Sequence, residues 1–116
     1  MGYRSEVLLI VGKEVMPLFL TTLAREPKAR VLCFQDRDQF QKDYEEVGSM
    51  LFNWSWLKWY DSFDDVKAIE DFMDNCDTED LEDHYRFVRL GEDSGDIEER
   101  GQFAAYEACI SRAIQW

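Results

Sequence analysis

The chain has 116 residues, of which 46% are hydrophobic and 15% aromatic, and its formal net charge is −12. This composition excludes a disordered chain, and the length suits one core, so we predict a single acidic domain over residues 1–116. The charge excludes direct binding to nucleic acid or anionic lipid, whose recognition depends on Lys and Arg, and leaves basic protein surfaces as ligands.

The first half of the chain begins with a strand and a helix. Residues 3–11 predict a central strand, because their continuous β-branched and apolar run ends at Gly12. Residues 14–25 have apolar residues at helical spacing, which predicts a helix. Pro17 is tolerated only in the first turn of this helix, and Pro27 ends it.

The next segment, residues 28–48, permits more than one interpretation. Residues 31–34 suit a short strand. Three later apolar residues suit one face of a helix that Gly48 would end: Phe40, Tyr44 and Val47. The aromatic-rich residues 49–60 that follow predict β structure.

Residues 64–76 carry the clearest helical pattern in the chain. Ser62 is placed to cap this helix, with Asp65 three residues later as in a capping box. The apolar stripe, which we expect to pack on the sheet, consists of Val66, Ile69, Phe72, Met73 and Cys76. The acidic residues of the helix fall off this stripe, so we expect them to face solvent.

The last third combines acidic turns with strand patterns. Residues 77–83 predict an acidic loop, and the alternation in residues 85–90 predicts a strand. Residues 91–101 form a turn-rich acidic segment with a short helical candidate at 96–100. Residues 103–116 predict a returning strand.

This order of elements is typical of an α+β fold, with a mainly antiparallel sheet and two or three helices packed on it. A ferredoxin-like split β-α-β is one member of this class. No internal repeat or flexible linker interrupts the pattern.

The negative charge is segregated along the chain. Residues 1–60 contain eight acidic and eight basic side chains, whereas residues 61–99 contain sixteen acidic and only three basic ones. Crowded like charges destabilise a fold, which favours a functional use for them. Two interpretations therefore stand equally, a surface that binds a partner and a solvated surface that only keeps the protein soluble. A helix spaces neighbouring side chains by about 5–6 Å, which is near the spacing of phosphates along DNA. The candidate partner-binding residues are Asp64, Glu70, Asp71, Asp74, Asp77, Glu79, Asp80, Glu82, Asp83, Glu92, Asp93, Asp96, Glu98 and Glu99.

Few residues suit catalysis or metal binding. His84 is the only histidine, and neither a phosphate-binding glycine motif nor a nucleophile motif is present. We expect His84 at the surface or at a strand edge, and we predict no catalytic residue, no cofactor and no metal site. The acidic loops lack the ligand spacing of an EF-hand, which leaves only adventitious calcium binding.

The cysteines and apolar runs indicate a cytoplasmic protein. Cys33, Cys76 and Cys109 are too few and too widely spaced for a disulfide framework, so we expect reduced thiols packed in the core. The longest apolar runs, residues 7–11 and 15–20, are far shorter than the ~20 residues of a membrane span.

The aromatic segment has two interpretations, base stacking and packing. Its large aromatic residues are Trp54, Trp56, Trp59 and Tyr60. A groove that stacks nucleic-acid bases needs a positive lining, and only Lys58 lies among them. Packing in the core and across strands is therefore the favoured interpretation.

Five strings of residues stand out: Met-Gly-Tyr-Arg-Ser-Glu-Val at 1–7, Lys-Trp-Tyr at 58–60, Val-Lys-Ala-Ile-Glu-Asp-Phe-Met at 66–73, and Tyr-Arg-Phe-Val-Arg-Leu-Gly-Glu-Asp with Asp-Ile-Glu-Glu at 85–99. Together they resemble a family of small phage and prophage proteins over most of the chain, except residues 27–48. The resemblance implies a viral origin and expression inside a bacterial cell. We associate no established activity with this family, so it assigns no residue a role.

We hypothesise that the protein inhibits a host nucleic-acid-handling defence system. Small acidic phage proteins include anti-restriction and anti-CRISPR inhibitors that mimic DNA, and the analogy rests on size, charge and origin. The alternative is a non-catalytic adaptor or homodimeric structural protein, paired through an exposed strand or the Trp-rich segment, whose acidic face serves solubility alone.

Overall fold

A computed structural model of the chain describes residues 2–93, 95–104, 109–110 and 114–115. Within these residues the elements follow in this order: β1 (Ser5–Val11), α1 (Met16–Arg25), α2 (Pro27–Phe34), β2 (Gln39–Lys42), β3 (Met50–Leu57), α3 (Asp64–Thr78), β4 (Tyr85–Gly91), β5 (Ile97–Gly101), β6 (Cys109–Ile110) and β7 (Ile114–Gln115). Short 3₁₀ turns precede α1 and β4, at Lys13–Val15 and Glu82–His84.

The main sheet has five strands in the order β2-β3-β1-β4-β5, and every neighbouring pair is antiparallel. From β1 to β4 the elements follow the β-α-β-β-α-β succession of ferredoxin-like folds, with α1 and α2 together in the place of the first helix. β3 lies between β1 and β2, which splits the first β-α-β unit, and β5 adds an edge strand. The predicted α+β class is confirmed.

The helices cover one face of this sheet and bury the main core against it. Val7, Leu9 and Val11 point from β1 towards the helices and are fully buried. The predicted stripe of α3 is confirmed, since all five of its apolar residues are buried. The Phe72 ring lies 5.2 Å from the Phe19 ring of α1, centroid to centroid.

A second, smaller cluster covers the opposite face of the sheet. Leu8 and Ile10 of β1 pack there with Val88 of β4, beneath Tyr44 and Ile114. β1 is thus buried on both faces, which explains why its apolar run is continuous and not alternating. The described part of the chain contains no helix that is long and apolar enough to cross a membrane.

Two predictions for residues 28–48 were wrong. Residues 31–34 belong to α2, because Pro27 occupies the first turn of a new helix and Glu26 accepts a hydrogen bond from the Lys28 backbone N–H. The expected helix through Phe40 and Tyr44 is instead β2 followed by a loop. Tyr44 is buried from that loop by tertiary packing against the second cluster.

Two further local predictions were wrong. Of the expected helix at residues 96–100, residues 97–100 belong instead to β5, which pairs with β4. The residue before α3 is Phe63, and no side chain among the described residues caps that helix. Asp65 accepts a hydrogen bond from the next backbone N–H, that of Val66. Ser62 is therefore not the cap. Of the predicted strand at 103–116, the short β6–β7 ribbon is described, and the other residues after Ala104 lie outside the described residues.

Candidate acidic interaction surface

Helix α3 carries acidic residues at both ends, and those at its C-terminal end are unfavourably placed relative to the helix dipole. Asp64 and Asp65 lie in the first turn, where negative charge is favourable. Asp74 and Asp77 lie at the other end, and the last turn contains no basic residue. Carboxylates there face the partial negative charge of the helix C-terminus, so their placement does not stabilise the helix.

One arginine from the neighbouring edge strand offsets part of this repulsion. The Arg100 guanidinium of β5 lies 3.0 Å from Glu70 Oε2, 2.9 Å from Asp74 Oδ1 and 2.8 Å from Asp77 Oδ2. The side chain of Arg100 is only 19% exposed, so these contacts are partly shielded from solvent. A single guanidinium among three carboxylates leaves this cluster negative.

A second arginine holds the acidic residues of β5 and of the turn before it. Arg89 of β4 donates two hydrogen bonds to Asp96, at 2.7 and 3.0 Å, and one to Glu98 at 3.1 Å. The Tyr3 hydroxyl also donates to Asp96, at 2.6 Å. The Arg89 guanidinium and the Tyr3 hydroxyl lower the pKa of Asp96 to about 2.

These two clusters meet in a groove of about 750 Å³ between α3, β5 and the segment after β3. Trp59 forms part of its wall and donates a hydrogen bond from Nε1 to Glu70 Oε1 at 3.0 Å. Burial raises the pKa of Glu70, and the nearby Glu98 carboxylate adds to this shift against the hydrogen bond from Trp59. We call this the acidic groove, and its lining residues are Tyr3, Trp59, Tyr60, Asp61, Ser62, Glu70, Asp74, Arg89, Asp96 and Glu98.

The structure brings part of the predicted set together. Glu70, Asp74, Asp96 and Glu98 line the acidic groove, and Asp77 adjoins it through Arg100. Three predicted acidic residues in the segment that follows α3 are exposed: Glu79, Asp80 and Asp83. Glu92 and Asp93 are exposed in the turn between β4 and β5.

Other members of the predicted set lie apart. Asp64 pairs with Lys28 of α2 at 3.1 Å, beside a separate groove between α2 and the start of α3. Asp71 pairs with Lys67 along α3 at 3.0 Å. Glu99 alternates with Glu98 along β5, so it points to the other face of the sheet, where it pairs with Arg86 at 2.7 Å.

Glu82 also departs from the expected solvated surface. Its Oε2 is buried, with no hydrogen-bond partner among the described residues. Its backbone oxygen accepts a hydrogen bond from the Gln102 N–H, which ties the 3₁₀ turn to the end of β5. We therefore do not count Glu82 among the carboxylates available to a partner.

Sequence reasoning missed seven residues that build the acidic groove: Tyr60, Asp61 and Ser62, and four others that form its walls or position its carboxylates. Tyr3 and Trp59 form walls, and Arg89 and Arg100 position the carboxylates. Arg89 does carry a signal, because a charged residue on the otherwise apolar Tyr85 and Phe87 face of a strand needs partners nearby. Tyr3, Trp59 and Arg100 could not be found, since their partners lie between 11 and 93 residues away in sequence.

The residues weighed for other chemistries lie elsewhere. His84 is half-buried in the 3₁₀ turn before β4. Trp54 is buried and donates to the Leu32 carbonyl at 3.0 Å, which agrees with packing, whereas Trp56 is 64% exposed. Among the described residues, no three His, Cys, Asp or Glu side chains converge as a metal site.

Comparison with known proteins adds no relationship. No protein-family model matches the chain, and neither a curated protein nor a solved structure matches it. The resemblance to phage proteins therefore stays a prediction.

Proposed function

We propose that this protein is a non-enzymatic, phage-encoded inhibitor that binds a basic, nucleic-acid-handling defence protein in the host cytoplasm and blocks its nucleic-acid site. The observation that carries the proposal is the crowding of carboxylates at the C-terminal end of α3. These carboxylates oppose the helix dipole, and only part of their charge is offset by Arg100. Arg100 and the Tyr85 hydroxyl, which donates to Asp77 Oδ1 at 2.8 Å, hold these carboxylates in place without neutralising them, and the excess negative charge suits binding to a positive surface.

The way the carboxylates are held supports competition with nucleic acid. Five buried apolar residues fix α3 on the sheet, and Arg100 ties its acidic side to β5. Carboxylates on such a helix lie about 5–6 Å apart at i, i+3 and i+4, on the scale of a phosphate backbone. A surface ordered before binding loses little entropy on association, which favours affinity.

Charge reversal on α3 tests this proposal. The protein is used to capture partners from lysate of the bacterial host at low salt, and each captured protein is assayed for binding to DNA or RNA. We expect a nucleic-acid-binding protein whose nucleic acid is displaced by the wild type but not by the Asp71→Lys, Asp74→Lys variant. The affinity should fall steeply as salt is added, because the complex depends on opposite charges.

A matched variant separates position from net charge. Glu14→Lys with Asp36→Lys makes the same change of charge at two exposed acidic residues that lie outside α3 and outside the acidic groove, and this variant should keep most of the inhibition. Recovery of no nucleic-acid-binding protein at low salt, or equal loss in both variants, would contradict the proposal.

A second candidate is a homodimer, and one observation favours it. β2 pairs only with the first four residues of β3, Met50–Asn53, and Trp56 lies beyond them with 64% of its surface exposed. Among the described residues no strand pairs with β3 on this side beyond Asn53, where Asp38 accepts a hydrogen bond from the Ser55 N–H, and such an edge beside an exposed indole is a suitable surface for strand addition. Light scattering tests this candidate, which predicts a dimer in the wild type and a monomer for Trp56→Lys.

A further inference from the structure

The acidic groove combines aromatic walls with carboxylates. Tyr3, Trp59 and Tyr60 contribute rings, and the Trp59 ring is itself fixed by packing 5.3 Å from the Phe87 ring. Aromatic faces attract cations through the ring quadrupole, and indole does so best. The groove volume of about 750 Å³ leaves room for a large side chain of another molecule.

The charge balance of the groove favours a positive occupant. Among the described residues, five carboxylates line it, whereas Arg89 is the one basic residue in the lining. Arg100 adds a second positive charge from the side, through Glu70 and Asp74. The raised pKa of Glu70 reflects burial and the neighbouring Glu98 charge, so a further cation would relieve repulsion that is already present.

We propose that the acidic groove binds the guanidinium group of an arginine side chain from the partner, with the guanidinium plane against the Trp59 and Tyr60 rings and its N–H groups directed at Asp61 and Glu98. The inference rests on the proposed function, because it names the side chain through which a basic partner is anchored.

An arginine suits this groove better than other cations. Its guanidinium is planar, so it stacks on aromatic rings and binds carboxylates through two parallel hydrogen bonds, whereas the lysine ammonium is a compact and strongly hydrated charge. A metal ion is a poor alternative, since no metal-ligand cluster exists among the described residues. Arginine is also common on surfaces that bind nucleic-acid phosphates.

The test uses three neutral-capped amino acids as probes and needs no partner protein. N-acetyl-arginine amide, N-acetyl-citrulline amide and N-acetyl-lysine amide are titrated into the ¹⁵N-labelled protein, and the Trp59 indole N–H resonance is followed. We expect a saturable shift with the arginine probe, at least about threefold weaker binding of the lysine probe, and no saturation with citrulline, which has the shape of arginine without its charge.

Two groove variants and two matched controls locate the site. Tyr60→Leu and Asp61→Asn should each weaken arginine binding by about threefold or more. Phe34→Leu, which likewise removes an aromatic ring, and Asp36→Asn, which likewise removes a carboxylate charge, change exposed positions outside the groove and should leave the affinity unchanged. Asp61 is exposed, so its variant keeps the test valid even if Tyr60→Leu does not fold.

Several results would overturn the inference. These are equal binding of arginine and citrulline, equal or tighter binding of lysine, no saturable shift of Trp59, or an unchanged affinity in both groove variants. The outcome is independent of the capture experiment. Arginine binding without capture of a nucleic-acid-binding protein would keep the groove and refute the anti-defence role, and the reverse result would refute the groove alone.

Discussion

At the scale of single residues, Phe72 is one of the buried side chains that hold α3 in place. Phe72 is fully buried, and its ring contacts those of Phe19 and Tyr85 at centroid distances of 5.2 and 6.2 Å. It therefore joins α3 to both α1 and the sheet. This packing fixes α3, and with it the acidic side chains that α3 carries.

Truncation of Phe72 should loosen that anchor. We expect Phe72→Ala to lower the free energy of unfolding by roughly 3–5 kcal/mol, because it removes a buried ring and leaves a cavity. Urea denaturation followed by circular dichroism measures the change. Val47→Ala, at a residue that is 81% exposed, is the control and should stay within about 0.5 kcal/mol of the wild type. An unchanged midpoint for Phe72→Ala would show that α3 is not anchored as described.

Asp96 should make stability depend on pH in the acid range. Its pKa is lowered from 3.8 to about 2 by Arg89 and Tyr3. A lowered pKa adds stability above about pH 3.8, and this contribution is lost as the pH falls towards 2. We expect Asp96→Asn to be less stable at pH 7 by about 1–2 kcal/mol, after allowing for solvent screening.

Urea denaturation of the wild type and Asp96→Asn at a series of pH values tests whether the ionised Asp96 carboxylate stabilises the fold. The stability difference between the wild type and Asp96→Asn should shrink between about pH 4 and pH 2. Tyr3→Phe keeps the Arg89 pair and removes one hydrogen bond to Asp96, together with the one that the Tyr3 hydroxyl accepts from the Asp93 backbone N–H, so its effect on the pH dependence should be smaller. A difference that stays constant down to pH 2 would mean that Asp96 gains nothing from its partners.

At the scale of elements, the sequence pattern predicted those strands and helices whose own residues determine their secondary structure. β1 and α3 were predicted from a continuous apolar run and a helical stripe, and both are present. The 31–34 segment has β-branched and aromatic residues, which favour a strand. It lies instead in the helix that begins at Pro27, and this helix buries Leu32 and Cys33. β5 has only one apolar residue, Ile97, and it is a strand because β4 offers it an edge. Such tertiary pairing leaves no local signal.

The end of β5 depends on a glycine. Gly101 is buried with φ +79°, and a Cβ there would collide with the Tyr85 carbonyl oxygen. We expect Gly101→Ala to cost about 1–3 kcal/mol or more, measured by urea denaturation, because both the backbone angle and the close approach oppose a side chain. Gly95→Ala is the matched control, since a Cβ there meets nothing within 4 Å. Equal stability of the two variants would contradict this account of the β4–β5 pairing.

At the scale of the whole molecule, the excess charge is spread over a small body. The net charge is −12, and the Cα radius of gyration is 13.1 Å. At low salt the Debye length is about 30 Å, which exceeds this radius, so the carboxylates repel one another across the molecule. At about 0.1 M salt it falls to about 10 Å, and this repulsion is largely screened.

The melting temperature should therefore rise between about 10 mM and 100 mM NaCl. Differential scanning calorimetry measures the change. The Asp71→Lys, Asp74→Lys variant carries less negative charge, so its melting temperature should rise less over the same range. A melting temperature that falls with salt would mean that the ion pairs of Arg89 and Arg100 outweigh the repulsion.

The two described cysteine side chains allow the opening of the helical layer to be measured by chemical labelling. Cys33 of α2 and Cys76 of α3 are buried, and burial raises the pKa of each thiol to about 12. Almost no thiolate exists at neutral pH, so an alkylating reagent can attack only while the layer is open. In a protein whose Cys109 is replaced by serine, the labelling rates of Cys33 and Cys76 would report how often each helix leaves the sheet, and whether a bound partner slows that exchange.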